Sequence, residues 1–269
     1  MSRGCVHHAS VSSAGLVALL AMNIAALAGD VQVRYGISLA GLSLGKASLA
    51  GKLNGADYSM DVSVSLTGIV GAVSKGRGAA TARGGLTNGA VLTNGFSLSA
   101  NNGTDTRTIQ MAASQGSIRS VVIEPPYDDK APEVRVPLKE QHKLNVMDPV
   151  SALVMPVRGK DPMDPGNCNR TLAVFDGTQR FDIVLTYAGT KPVKGDNGYA
   201  AVALVCSARY VPLAGHRPDR RVTKFMVENR NIDTWLVPVN GGRQLVPYRM
   251  SVKTMIGTAV VEAEVFNPG

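Results

Sequence analysis

Residues 58–66 read YSMDVSVSL, with Tyr58, Met60, Val62, Val64 and Leu66 at every second position and Ser59, Asp61, Ser63 and Ser65 between them. Successive side chains of an extended strand point to opposite faces, so this alternation gives one apolar and one polar face. It is the pattern of a half-buried strand in an antiparallel sheet. The same period runs outward in both directions: VQVRYGI (Val31, Val33, Tyr35, Ile37) lies before it, and DTRTIQMAA, GSIRSVVIE, PEVRVPL, RFDIVLTY and TAVVEAEVF follow. Between the runs stand Asn54-Gly55, Asn88-Gly89, Asn94-Gly95, Asp176-Gly177 and Asn240-Gly241, pairs that tolerate the positive φ of tight hairpin turns. The expectation is a mainly β protein with one long, curved antiparallel sheet of half-barrel or β-spiral type.

Three stretches depart from the rhythm. NVMDPVSALVMPV places Asp148 at an N-cap and Pro149 at the first helical position, with Pro156 as a stop, which predicts a short helix around residues 149–155. Its apolar residues suit either the inside of the curved sheet or an outer connection. Residues 70–85, VGAVSKGRGAATARGG, read as a connection or a weak edge strand, with helix as a third option. EPPYDDKAPE, residues 124–133, is a proline-rich loop between the front and back halves of what reads as a single domain.

The N-terminus decides the compartment. Arg3 precedes an uncharged, largely apolar run from Ala14 to Leu27 that ends Ala26-Leu27-Ala28. Basic start, apolar middle and an A-x-A site form a secretory signal peptide, with cleavage expected after Ala28 and a single domain over residues 29–269. The run is short of the roughly 20 residues that span a bilayer core. Cys5 would leave with the peptide, and so would Arg3, which turns a net charge of +8 into +7.

Two cysteines then remain, Cys168 and Cys206, and in an oxidising compartment two thiols are expected to pair. Zinc is disfavoured because there is no C-x-x-C or H-x-x-x-H spacing and only His142 and His216 are left beside them. A catalytic thiol needs a neighbouring histidine and a depressed pKa, which the sequence leaves open. A crosslink would contribute about 4 kcal/mol in the chain-entropy model.

Other candidate chemistry is thin. GLSLG, residues 41–45, satisfies G-x-S-x-G with Ser43 as nucleophile, but strand-like alternation follows where that motif needs a helix. A hairpin turn explains its glycines better. His216 sits in LAGHRPDRR with Arg217, Arg220 and Arg221, a candidate anion or lipid-headgroup contact whose plainer reading is a solvated loop. His142 has no evident partner, and the pairs Asp176/Asp182 and Asp128/Asp129 suit turns and loops. No catalytic, cofactor or metal site is therefore assigned. The positive charge after export points to anionic lipid and peripheral membrane contact, not nucleic acid, since aromatic residues are only 5% of the chain.

VMDPVSAL, the cysteine before RTLAVFDGTQRFDIVLTY, CSARYVPLAGHRP and TWLVPVNGGRQLVPYRMSVKTMIGTAVVEAEVF together resemble the exported bacterial proteins of domain-of-unknown-function family 3108. The resemblance implies an exported β architecture without an established reaction. More distantly the chain is similar to periplasmic half-barrel proteins, the lipoprotein-localisation carriers and a disulfide-bearing envelope-integrity family, which wrap a sheet around an apolar concavity. Three readings follow: a non-enzymatic periplasmic protein of envelope maintenance that binds a lipid, lipidated or protein partner on the curved sheet; an envelope hydrolase using Ser43 or His216; and a scaffold that recruits partners by strand addition.

Overall fold

The computed structural model describes Met1 and residues 29–67, 76–87, 89–126 and 134–269. The expected signal peptide, Cys5, Lys75, Asn88 and the Asp128/Asp129 pair lie outside the described residues.

The front half is a meander of seven strands: β1 (Gly29–Leu39), β2 (Leu42–Asn54), β3 (Asp57–Leu66), β4 (Arg77–Thr87), β5 (Ala90–Asn101), β6 (Thr106–Ser114) and β7 (Ser117–Glu124). The back half holds β8 (Met155–Pro156), β9 (Arg170–Phe175), β10 (Arg180–Lys194), β11 (Ala200–Ala214), helix α1 (Arg221–Glu228), β12 (Ile232–Val239), β13 (Gln244–Thr254) and β14 (Gly257–Asn267). They form one sheet in the order β7-β6-β5-β4-β3-β2-β1-β14-β13-β12-β11-β10-β9, with β8 beside β13. Every ladder is antiparallel. The only step in that order not joined by a direct connection is β1 against β14, so the two ends of the domain make the seam between its halves.

The alternation of residues 58–66 holds: Tyr58 and Met60 are buried and Val62, Val64 and Leu66 half-buried, while Asp61, Ser63 and Ser65 are exposed. Hairpins follow from the turn residues. Ala40-Gly41 and Gln115-Gly116 have positive φ at both positions, the twist that matches antiparallel strands. Asn94-Gly95 is not a turn but lies inside β5, where Asn94 is the extra residue of a bulge opposite Arg83 and Gly84. Residues 77–85 of the glycine- and alanine-rich stretch belong to β4, an interior strand between β3 and β5, with Ala80 and Ala82 buried in the inner core.

The described part of PEVRVPL, residues 134–138, is corrected from strand to strap. Residues 134–138 take no strand conformation; Val136 exchanges two backbone hydrogen bonds with Gly215 and His216 at the end of β11. The helix expected at 149–155 is a single 3-10 turn, Ser151–Leu153. Asp148 does cap it, accepting from the amides of Val150 and Ser151, but Pro156 joins β8 and leaves too few residues for an α-helix. Among the described residues the α-helix is α1, which begins at Arg221, the last residue of the stretch read as a basic loop.

The connection between β7 and β9 organises the interior. The amide of Val146 donates to Gly116 O in the β6–β7 turn, and Met147 bonds Ala173 and Phe175 of β9, so this segment stands between the two ends of the sheet, which does not close into a barrel. Val146, Val150 and Val154 pack into the inner core with Val33, Met60, Phe96, Met111, Val237 and Phe266. Burying each such side chain contributes about 1.5–3 kcal/mol. The next residues cover the opposite face: Met155 and Cys168 pack with Leu204, Leu236 and Leu245 in a second core, whereas Ala203, Val237 and Val246 face the first. Strands β11 to β13 are thus buried on both sides.

Candidate functional site

Cys168 and Cys206 form a disulfide with Cα atoms 5.4 Å apart, fully buried in the second core. The bond ties the end of the β7–β9 connection to β11. Leu204 and Ala208 share the face of Cys206 and are buried, whereas Val202 on the same face is 51% exposed.

The other sequence candidates separate. Ser43 lies on β2 opposite Ser38 of β1, exposed and without an elbow, so the nucleophile motif is a hairpin. His142 Nδ1 accepts from the Lys139 amide and ends a 3-10 turn. Asp176 accepts from the Thr178 and Gln179 amides in the β9–β10 turn, and Asp182 pairs with Arg180 at 2.7 Å. His216 is buried, its Nδ1 without a hydrogen-bond partner among the described residues. Burial lowers its pKa, and the Ala214 backbone works weakly the other way. Arg217 is half-buried, while Arg220 and Arg221 are exposed at the start of α1. The predicted anion contact therefore divides into a buried histidine and an exposed arginine pair.

The exposed pair belongs to a larger surface. Val222 and Val227 of α1 are 51% and 40% exposed, and Arg220, Arg221, Lys224 and Arg230 are exposed around them against Asp219 and Glu228. The segment after the helix is fixed to β13: Asn229 Nδ2 donates 2.8 Å to Lys253 O and the Lys253 amide donates to Asn231 O. Two residues further, the β13–β14 turn carries Met255 and Ile256, 52% and 69% exposed, where turns ordinarily hold polar residues or glycine. On its other side the Ala40 amide donates to Thr258 O, which sets the β1–β2 turn and the exposed Leu42 alongside. One end of the sheet thus presents exposed apolar residues at two turns, with the mostly cationic α1 segment tied to the same end. Sequence reading missed Met255 and Ile256, although TMIG, with two large apolar residues at the centre of a turn, was the available signal.

At the same strand ends the inner face of the front half opens. The Thr67 amide donates to Leu44 O, two residues from Leu42, and beside it Val64, Leu66, Gly78, Ala100, Arg107 and Pro125 line a cleft of about 670 Å³. Deeper along the same strands the space is filled by Met60, Ala82, Phe96 and Met111.

The features define an open, all-antiparallel β protein whose sheet gap is filled by its own connection and stapled by one disulfide. The chain belongs to the family described as a protein of unknown function, DUF3108, whose model matches residues 31–264. No curated protein matches it. Among solved structures it is similar to a β-barrel-like protein of domain of unknown function DUF1849 from Brucella abortus, at 8% identity over 90% of this chain and 98% of that one, with a TM-score of 0.47. It is also similar to a putative lipoprotein from Parabacteroides distasonis, at 9% identity over 90% and 96%, with a TM-score of 0.32. Among the described residues no helix is long and apolar enough to cross a membrane.

Proposed function

We propose that this chain is an exported, non-enzymatic protein of the bacterial periplasm, cleaved after Ala28, that serves cell-envelope maintenance by binding a lipid or lipidated partner on its curved sheet while resting on an anionic membrane surface. The observation that carries the reading is Met255-Ile256, two large exposed apolar residues in the β13–β14 turn, at the end of the sheet that also holds the exposed Leu42 and to which the segment after α1 is bonded. Apolar tips at the headgroup boundary bury area that water otherwise surrounds, and each nearby lysine or arginine contributes about 1 kcal/mol at an anionic surface. Arg221 and Lys224 in the first turn of α1 oppose the helix dipole; Asp219, just before the helix, pairs with Lys224 at 3.2 Å, and Arg221 stands exposed for anion contact. The cleft beside Leu66 opens at the same strand ends, so a ligand leaving the bilayer meets it directly.

Co-sedimentation with vesicles tests the reading. Phosphatidylethanolamine vesicles with phosphatidylglycerol should retain the protein at low salt and less at physiological salt, and pure neutral vesicles should retain little. Equal, negligible binding to both overturns it. A second reading, strand addition, has its own support: among the described residues β7 pairs only with β6 and so offers a free edge. A stoichiometric protein that co-purifies and protects the amides of β7 would favour it.

A further inference from the structure

A second cleft, on the gap between the two sheet ends, carries a charge pattern that the fold does not need. Its walls come from the β4–β5 turn and early β5, the β6–β7 turn, the β7–β9 connection and β9, and its volume is about 350 Å³. That is at the lower end of the roughly 300–1,000 Å³ typical of ligand pockets. Val91, Leu92, Val146 and Leu172 make its lining largely apolar, and it holds two arginines, Arg158 and Arg170, with no aspartate or glutamate among the lining residues.

Arg170 is only 8% exposed. Its Nη1 donates to Pro156 O at 3.1 Å and its Nη2 to Asn167 Oδ1 at 3.2 Å, so the guanidinium is held rigidly. Its Nε is buried with no hydrogen-bond partner among the described residues. Asn167 Oδ1 also accepts the Arg158 amide at 2.8 Å, which joins the two arginines through one side chain. The Arg158 side chain lies against the β4–β5 turn, where a Cβ on Gly89 would stand 3.3 Å from its Cγ. Burial first, and then the Arg158 charge, lower the Arg170 pKa to about 10. Burying one guanidinium beside another without a carboxylate is costly, and a matching oxyanion offsets that cost.

We infer that this cleft binds an amphiphile with a compact oxyanion, phosphate or carboxylate, the anion held by Arg158 and Arg170 and the chain lying along Val91, Leu92, Val146 and Leu172. Guanidinium forks match such oxyanions in two-point geometry, and apolar walls reward an attached alkyl chain. The site is independent of the membrane-facing end and goes beyond the function proposed above: it holds or fails whether or not the protein binds vesicles.

Calorimetric titration of the purified protein with octyl phosphate, octanoate, inorganic phosphate and octyl glucoside, all below micelle-forming concentrations, tests it. Octyl phosphate and octanoate should bind at least tenfold more tightly than inorganic phosphate, which lacks the chain, or octyl glucoside, which lacks the charge. Arg158→Glu, at an exposed position, should weaken octyl phosphate tenfold or more with the unfolding midpoint unchanged, and Lys52→Glu on β2 should leave it within twofold. Arg170→Gln should weaken it as well; should that variant fail to fold, Arg158→Glu still decides. Inorganic phosphate binding as tightly as octyl phosphate overturns the amphiphile and leaves an adventitious ion only. Equal octyl glucoside binding, or an unchanged Arg158→Glu, overturns the arginine site.

Discussion

The Thr93 hydroxyl, on β5, donates 2.9 Å to the Oδ2 carboxylate oxygen of Asp148, in the connection between the two halves, and neither residue is accessible to solvent. Ser151 Oγ donates to the same oxygen and meets the Tyr58 hydroxyl of β3 at 2.5 Å. With the amides of Val150 and Ser151 on Oδ1, the carboxylate gathers donors from the connection and from β5, and through Ser151 the network reaches β3. A buried polar network satisfied in this way fixes one arrangement of the segment inside the sheet.

Asp148→Ala leaves those donors buried without an acceptor, and an unsatisfied buried group costs about 1–3 kcal/mol. The expected loss is about 3 kcal/mol in a urea melt. Thr93→Val in the same background should cost less than it does alone, with a coupling of about 1 kcal/mol in a double-mutant cycle. Additive losses would show that the two residues do not act together.

Stability should depend on pH in two opposite ways. Burial raises the Asp148 pKa above 3.8, against the hydrogen bonds that lower it, so the folded state binds the proton more tightly than the unfolded chain. That contribution is full below pH 3.8 and is lost as pH rises through the folded value. Burial lowers the His216 pKa below 6.5, so its contribution is present above that pH and is lost as pH falls through the folded value. Chemical melts across the pH range should therefore flatten on the near-neutral side in His216→Phe and on the acid side in Asp148→Asn.

The disulfide closes a separation of 38 residues, so reducing it should cost about 4 kcal/mol in the chain-entropy model. Thiol titration of denatured residues 29–269 should find no free thiol before reduction and two after. The Cys168→Ala/Cys206→Ala variant should match the reduced protein in stability, and in vesicle binding should match the intact one, since the bond lies in the second core.

Arg221→Glu separates function from stability at α1. An acidic residue in the first turn favours the helix dipole by about 0.3–1 kcal/mol, so the melting temperature should hold or rise slightly. Vesicle binding should fall severalfold. Ile256→Asp, at a position 69% exposed, should also spare stability and weaken binding. Unchanged binding in both variants removes this end of the sheet as the membrane contact.

Much of the fold was legible because alternation is a local signal. Tyr58 and Met60 point inward and Asp61 outward whatever the rest of the chain does, since the pleat sets that relation. The misreadings came from segments whose conformation depends on distant partners. PEVRVPL alternates like a strand, yet its described residues 134–138 form a strap that Val136 holds through two backbone bonds to the end of β11. Strands β11 to β13 are buried on both faces, which a reading built on alternating half-buried strands did not anticipate. The arginines of the second cleft carried no signal, because Arg158 and Arg170 are twelve residues apart and become neighbours only through Asn167.

The sequence by itself determined the class of fold, the faces of most strands and the pair of cysteines to be joined, because periodicity, turn residues and thiol count act over a few residues or need no geometry. Only the tertiary structure decided that the first and last strands meet, that the connection after β7 fills the gap between the sheet ends, and that apolar turns gather beside α1. Those relations are set by which backbone and apolar surfaces remain unpaired once every hairpin has formed, a condition on the whole chain that no single stretch contains.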